Sequence, residues 1–228
     1  MTEATRPQAE TDSKEPYSEH TPAMRQYLIL RDKHPGVMLL YRIGDFYETF
    51  FDDAVKINRL IGLTLTKRGT FQGKPIPMAG IPAATLEQYL ARLVKLGVSV
   101  AICEQIGDPN EPGKATMDRK IVRIVTPGTL TDNALLSEKS DSVLLAVARI
   151  GRSPTANLGL VWLTLTNGRF CAASIAPQNL ATELARITPS EILVPAELRA
   201  TVQGAAAETA VNEMPAWYFD AERGRELL

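Results

Sequence analysis

Apolar residues recur along this chain with two periods, and the alternation between them marks its elements. Met24, Tyr27, Leu28 and Leu30 fall at helical spacing behind Thr21-Pro22, a cap residue followed by proline at the first helical position. Pro35-Gly36 stops the pattern, which predicts a helix over 23–34. The run VMLLYRI (37–43) then reads as a buried strand, and FDDAVKINRLI (51–61) as a helix. Between them GDFYETF (44–50) interleaves Asp45 and Glu48 with Phe46, Tyr47 and Phe50, where a strand hands over to a helix. A short strand is expected at LTLT (63–66), then a basic turn, KRGTFQGK (67–74). PIPMAGIP (75–82) is too proline-rich for a central strand and is expected as an edge strand or rigid extended loop. Leu86, Tyr89, Leu90, Leu93 and Leu96 repeat at helical spacing up to Gly97. Strands follow at 98–106 and 119–129, separated by the loop 107–117.

The pattern changes between Thr126 and Asp141, where polar turns surround one apolar step, and a domain boundary is expected there. Three strand-like runs come next, at 142–150, 158–166 and 169–176, with the hairpin signal Asn167-Gly168 between the last two. A helix over about 178–187 and a strand at 191–195 complete the opening element order of a ribonuclease-H-like domain. The last residues, 220–228, read as a helix cut off in progress, so the chain is expected to be a fragment. Residues 1–20 carry almost no large apolar side chains and are expected to be a disordered lead-in. The expected division is thus a lead-in over 1–20, a first domain over 21–136 and a second over 137–228. The fold class is α/β of the α+β kind: a mixed sheet with packed helices, then a ribonuclease-H-like domain.

Composition narrows function mainly by exclusion. Apolar residues make up 45% and charged residues 22% of the 228, with a net charge of −1. That describes an ordinary globular protein, and any nucleic-acid binding has to come from a local surface. Cys103 and Cys171 each sit among apolar residues and read as reduced, buried thiols. His20 and His34 have no neighbour at metal-ligand spacing. No run approaches the roughly 18 apolar residues of a membrane span. There is no GxxxxGK[ST], no GxGxxG and no GxSxG. The first strand of the second domain, SVLLAVARI, has no carboxylate for the divalent metals of a ribonuclease-H-like nuclease. That domain is therefore expected to bind or link, with no catalytic residue and no metal or cofactor site in this chain.

GDFYETF admits two readings. In one, Asp45 caps the following helix, Phe46 and Tyr47 fill the core, and Glu48 favours the helix N-terminus. In the other, Phe46 is a wedge driven between base pairs, and Glu48 reaches the edge of the displaced base. A carboxylate beside DNA is unfavourable unless protonated or bonded to a base, so Glu48 suits a discriminator better than an anchor. Lys67, Arg68 and Lys74 read either as solvated surface or as phosphate contacts. Pro77 and Met78 read either as a stiff loop or as an apolar ledge for the minor groove.

Six blocks in register decide more than any one of them. HTPAMRQYL, GDFYETFFDDA, LTLTKRG, PIPMAGIP, SVAICEQIGDP and RKIVRIVTPGT closely resemble the N-terminal part of bacterial MutS, the DNA mismatch-repair sensors. The resemblance is dense over 20–140 and looser through the second domain, where AWYFD (216–220) belongs to it. It implies a mismatch-binding domain followed by most of a connector domain of ribonuclease-H-like fold without nuclease activity. It also implies that Phe46 stacks on the mispaired or unpaired base from the minor-groove side and that Glu48 hydrogen-bonds it. The implied partners are mismatched double-stranded DNA, a second subunit of the same protein and MutL. ATP and Mg are implied for an ATPase domain beyond residue 228, with the connector relaying its nucleotide state. A cytoplasmic, nucleoid-associated location is implied as well. One departure is visible: many relatives continue GIP with Tyr-His, where this chain has Ala83-Ala84.

Two other classes of function stay open on the sequence. The fragment could act chiefly as a protein-interaction platform, binding DNA only within a full dimer. It could instead be a carboxylate enzyme using Asp45 and Glu48, though it lacks the metal motif, nucleophile and phosphate loop such chemistry needs.

Overall fold

In the computed structural model, which describes residues 17–107, 117–129, 142–206 and 208–227, the chain forms two mixed sheets. The first is built around β1 (Met38–Ile43) and also contains β2 (Phe46–Phe50), β3 (Thr66–Phe71), β4 (Lys74–Pro82), β5 (Val100–Ile106) and β6 (Asp118–Val125). Its order is β3-β4-β2-β1-β5-β6, antiparallel except for the β1–β5 pair. The helices are α1 (Pro22–Asp32), α2 (Phe51–Ile61) and α3 (Leu86–Lys95).

Period-two alternation sorts the sheet's residues onto two cores. Met38 and Leu40 of β1 and Tyr47 of β2 face α2 and α3, which supply Ile57, Leu90 and Leu93. Leu39 and Tyr41 of β1 and Phe50 of β2 face α1, which supplies Met24, Tyr27 and Leu28. Leu40, Ile57, Leu90, Leu93 and Tyr27 have no exposed surface.

Three sequence expectations change here. First, GDFYETF does not hand a strand to a helix. Gly44-Asp45 is a two-residue hairpin loop, with Ile43 paired to Phe46. Gly44 has φ +57°, the positive angle that a II′ turn places at its first central residue. The remaining five residues are β2, and α2 starts only after them. Asp45 therefore does not cap α2, whose N-cap is Phe50 and has no side-chain cap bond. The turn from strand to helix is made at Phe51, which adopts φ +54°. Second, β3 begins at Thr66, so Lys67 and Arg68 lie in a strand and the turn itself is Gln72-Gly73. Third, PIPMAGIP is neither an edge nor a loop, because β4 lies between β3 and β2. Its prolines sit where the ladder ends or is irregular: Met78–Pro82 pairs with β2, with Pro82 in the end pair opposite Phe46, and Pro75 and Pro77 flank the register shift opposite β3.

The second sheet contains β7 (Val143–Arg149), β8 (Leu158–Thr164), β9 (Arg169–Ile175), β10 (Glu191–Val194) and β11 (Ala210–Glu213). Its order is β11-β10-β7-β8-β9, with β7, β8 and β9 antiparallel and β10 and β11 parallel to β7. Three antiparallel strands, then a helix and a strand parallel to the first, follow in the order that the sequence predicted. Helices α4 (Leu180–Ile187) and α5 (Arg199–Ala205) pack over Leu145, Leu160 and Ile192 on one face. A final helix, α6, spans Ala221–Leu227. The Asn167-Gly168 hairpin is present, with a loop of residues 165–168.

The turn after β6 is fastened to the second sheet by a buried carboxylate. Glu191 Oε2 accepts from the Gly128 amide at 2.8 Å, and its Oε1 accepts from Asn212 Nδ2 at 2.8 Å. A Cβ at position 128 would stand 2.8 Å from Leu144 Cδ1 and 2.9 Å from Glu191 Cβ, so glycine is required. Of the expected lead-in, Tyr17–His20 are described; they form a turn in which Tyr17 donates to Asp32. Residues 108–116 of the expected loop, and 130–141 of the expected boundary, lie outside the described residues.

Tyr27 links α1 to the β2–α2 junction. Its hydroxyl accepts from the Phe50 amide at 3.2 Å and meets Thr49 Oγ1 at 3.4 Å. Replacing it by phenylalanine leaves a buried amide without that partner, a cost of about 1–3 kcal/mol. Denaturant unfolding of Tyr27→Phe is expected to show an unfolding free energy lowered by that amount, seen as a lower midpoint with an unchanged slope; an unchanged midpoint would contradict this role.

Candidate nucleic-acid interface

The phase of β2 places Phe46, Glu48 and Phe50 on the α1 face of the sheet. Helix α1 buries the Phe50 end, leaving 1% of that residue exposed, while Phe46 at the hairpin end is 46% exposed. Tyr47, on the opposite face, is buried and donates to Glu104 of β5, with the Arg42 guanidinium 5.0 Å from its ring centre. An exposed phenylalanine thus sits on a hairpin whose neighbours are tied down on both sides.

Glu48 is the contrast to Phe46. It is only 7% exposed, opposite Tyr41 on β1 and Gly80 on β4. Gly80 has no side chain to fill the space between them: a Cβ there would lie 3.6 Å from Phe46 Cδ1, 3.8 Å from Glu48 Cγ and 4.0 Å from Met78 Sδ. Phe46, Glu48 and Met78 therefore converge over one glycine. The carboxylate is not left alone. Arg68 Nη1 donates to Oε1 at 2.6 Å and to Oε2 at 2.7 Å, reaching across β4 from the edge strand. Burial pushes the Glu48 carboxyl above its ordinary 4.5, against the pull of Arg68 and, more weakly, of Arg119. Arg119 of β6 lies 4.7 Å from the centre of the Tyr41 ring.

The other sequence-selected residues divide into two groups. Lys67 and Lys74 are exposed on the β3–β4 hairpin, and Lys67 lines a shallow depression with Leu65, Thr66, Pro75 and Pro77. Pro77 and Met78 are half-buried on β4, and Met78 belongs to the Phe46 cluster. Arg68 is separated from the lysines by its bond to Glu48. Beside it opens a cleft of about 230 Å³ whose lining includes His20, Thr21, Tyr41 and Phe71, with His20 stacked on Phe71 at 3.9 Å. Ala83–Thr85, the site of the family departure, forms a short 3-10 turn into α3, and the Ala83 amide donates to the Asp45 carbonyl at 2.9 Å.

Sequence reasoning missed Tyr41 and Gly80 as the residues flanking Glu48. Parity would have found them: once 46–50 is a strand between β1 and β4, Glu48 must have a same-face partner on each. It also missed the Arg68–Glu48 bond, for which a sequence carries no local signal because the two side chains meet across an intervening strand.

Among the described residues, no group of three or more His, Cys, Asp or Glu could hold a metal ion, and no helix is long and apolar enough to cross a membrane. Compared with known protein families, residues 21–134 match MutS domain I and residues 142–228 match MutS domain II. Neither of these is the family's ATPase domain.

The raised Glu48 carboxyl has a consequence for stability. The folded state binds this proton more tightly than the unfolded chain does, so Glu48's contribution improves as pH falls through the raised value towards 4.5. That contribution is lost as pH rises through the same window. Unfolding measured against pH should therefore show Glu48→Gln gaining on the wild type as pH rises. A constant difference would mean that Arg68 cancels burial, and one of opposite slope that it outweighs burial; either would contradict the raised carboxyl.

Proposed function

The chain belongs to the MutS family of DNA mismatch repair, and on that premise we propose that its first domain senses mispaired or unpaired bases in duplex DNA. Phe46 enters from the minor groove and stacks on the displaced base, and Glu48 hydrogen-bonds that base. The observation that carries this reading is the contrast along β2: Phe46 is held 46% exposed on an anchored hairpin while Tyr47 and Phe50 are buried. A core phenylalanine would show the opposite.

Discrimination comes from deformability. Driving a ring into a base step costs a few kcal/mol of unstacking, and a mispaired step unstacks more cheaply than a paired one. Glu48 adds a penalty on matched DNA, where its carboxylate faces phosphate without a base to bond. Lys67 and Lys74 supply affinity without sequence choice by binding phosphates, with Pro77 and Met78 as the apolar ledge beside the wedge. With a net charge of −1, the chain has no global attraction to DNA, so this local surface has to provide it.

In this reading the protein works as a dimer that kinks DNA, with one subunit inserting its phenylalanine. The second domain serves as the connector: it relays the state of ATP and Mg bound elsewhere in the protein and contributes to docking MutL. These assignments rest on family membership alone.

Two outcomes test the reading. Phe46→Ala should lose about 1–3 kcal/mol of preference for mismatched over matched duplex, the usual worth of one stacked base, with unfolding unchanged. Full discrimination in that variant would remove the wedge. Lys67→Ala and Lys74→Ala should weaken matched and mismatched binding alike and lower the salt slope by about 0.9 for each phosphate no longer neutralised. A selective loss on one duplex would contradict their assignment.

A further inference from the structure

Arg68 stood among the residues that could bind the DNA backbone, yet its guanidinium is already engaged. One nitrogen, Nη1, meets both oxygens of Glu48, at 2.6 and 2.7 Å. The pair is lopsided: the Arg68 side chain is 49% exposed and that of Glu48 only 9%. An exposed arginine loses little by leaving such a pair, whereas a buried carboxylate left behind has no solvent to replace its partner. The bond therefore matters to Glu48 far more than to Arg68.

The local backbone is shaped for this reach. The β3–β4 register shifts between Lys67 and Thr70, and Gly69 within that irregularity adopts φ +69°. The bulge lets Arg68, itself half-exposed, reach across β4 to Glu48.

The other groups facing Glu48 do not replace Arg68. Across β1 stands Tyr41, whose hydroxyl is bonded to Gln26 of α1 at 2.6 Å. On β4, Gly80 and Met78 carry no charge. Arg119 of β6 is committed elsewhere, donating to the Arg42 carbonyl at 2.9 Å and the Met117 carbonyl at 3.0 Å while lying over Tyr41.

We infer that Arg68 is a positioning residue for this interface, a clamp that keeps the Glu48 carboxylate ionised and fixed beside Phe46 so that matched duplex is penalised. The inference rests on the proposed mismatch-sensing role and deepens it. Without the clamp, Glu48 holds its proton to higher pH in its buried setting; wherever it is protonated it stops repelling phosphate, and matched duplex binds more tightly. The clamp thus sets specificity through Glu48 and contributes little to affinity.

Two measurements on the full chain separate this from the reading beneath it. The first uses no DNA: carbon-13 NMR titration of the glutamate carboxyls, with Glu48 assigned by Glu48→Gln. Arg68→Ala should raise the Glu48 midpoint by about one pH unit or more, and Arg68→Lys by less. An unmoved midpoint overturns the clamp whether or not the chain senses mismatches. The second is the ratio of matched to mismatched Kd. Arg68→Ala should lower that ratio at pH values below the variant's own Glu48 midpoint, recover it as pH rises and Glu48 ionises again, and leave it unchanged in a Glu48→Gln background. Arg68→Lys should restore most of it. An equal loss on both duplexes, or the same change with and without Glu48, makes Arg68 a plain phosphate ligand and overturns the clamp. If the wild type shows no preference and Phe46→Ala changes nothing, the sensing role fails, and the NMR titration still decides the clamp.

Discussion

Period-two alternation ties Phe46, Glu48 and Phe50 to one face of the first sheet, and the two-residue turn at Gly44-Asp45 fixes which face that is. A slip of one residue would bury Phe46 among the α2 and α3 side chains and turn Tyr47 towards α1. The register is held from several directions. Ile43 pairs with Phe46, the Asp45 carbonyl accepts from Ala83, Tyr47 donates to Glu104, and the Tyr27 hydroxyl holds the Phe50 amide. The exposed ring is the free end of a strand that is otherwise fully committed.

The same phase gives Glu48 its unusual setting. An acidic residue in the middle of a strand, with strands on both sides, would ordinarily be solvated on an open face. Here it is buried between Tyr41 on β1 and Gly80 on β4, with Met78 and the Arg68 guanidinium beside it, and Gly80 leaves it the room. Burial and the Arg68 pair pull its carboxyl in opposite directions, with burial the larger effect. A carboxyl held between burial and one arginine depends on that arginine for the stability of its charged form. A carboxylate meant only to decorate the surface would not be held like this.

Much of the fold could be read from hydropathy alone. Strands β7, β8 and β9 have strong alternation and a turn signal, and α2 and α3 have clear stripes that the structure places on the core. Strand β2 was hidden for a physical reason: it runs straight into α2 without a glycine or proline, the bend being taken by Phe51 at a positive φ that its residue type does not advertise. The prolines of β4 argued against an interior strand, and they are tolerated because two of them lie where the ladder is already irregular. At the interface, six motif blocks singled out Phe46 and Glu48, while their exposure and burial were beyond the sequence. Arg68 was legible as a basic residue and not as a partner of Glu48, because that bond spans two strand spacings and depends on the bulge at Gly69.

The central claim is that the Phe46 ring leaves solvent to stack on a displaced base. Ring-selective NMR of labelled Phe46, recorded during titration with matched and single-mismatch duplexes, tests it most directly. The account predicts that the Phe46 ring signals shift and become protected from solvent on saturation with mismatched duplex and stay near their free positions with matched duplex. Saturation with mismatched duplex that leaves those signals unmoved would contradict it.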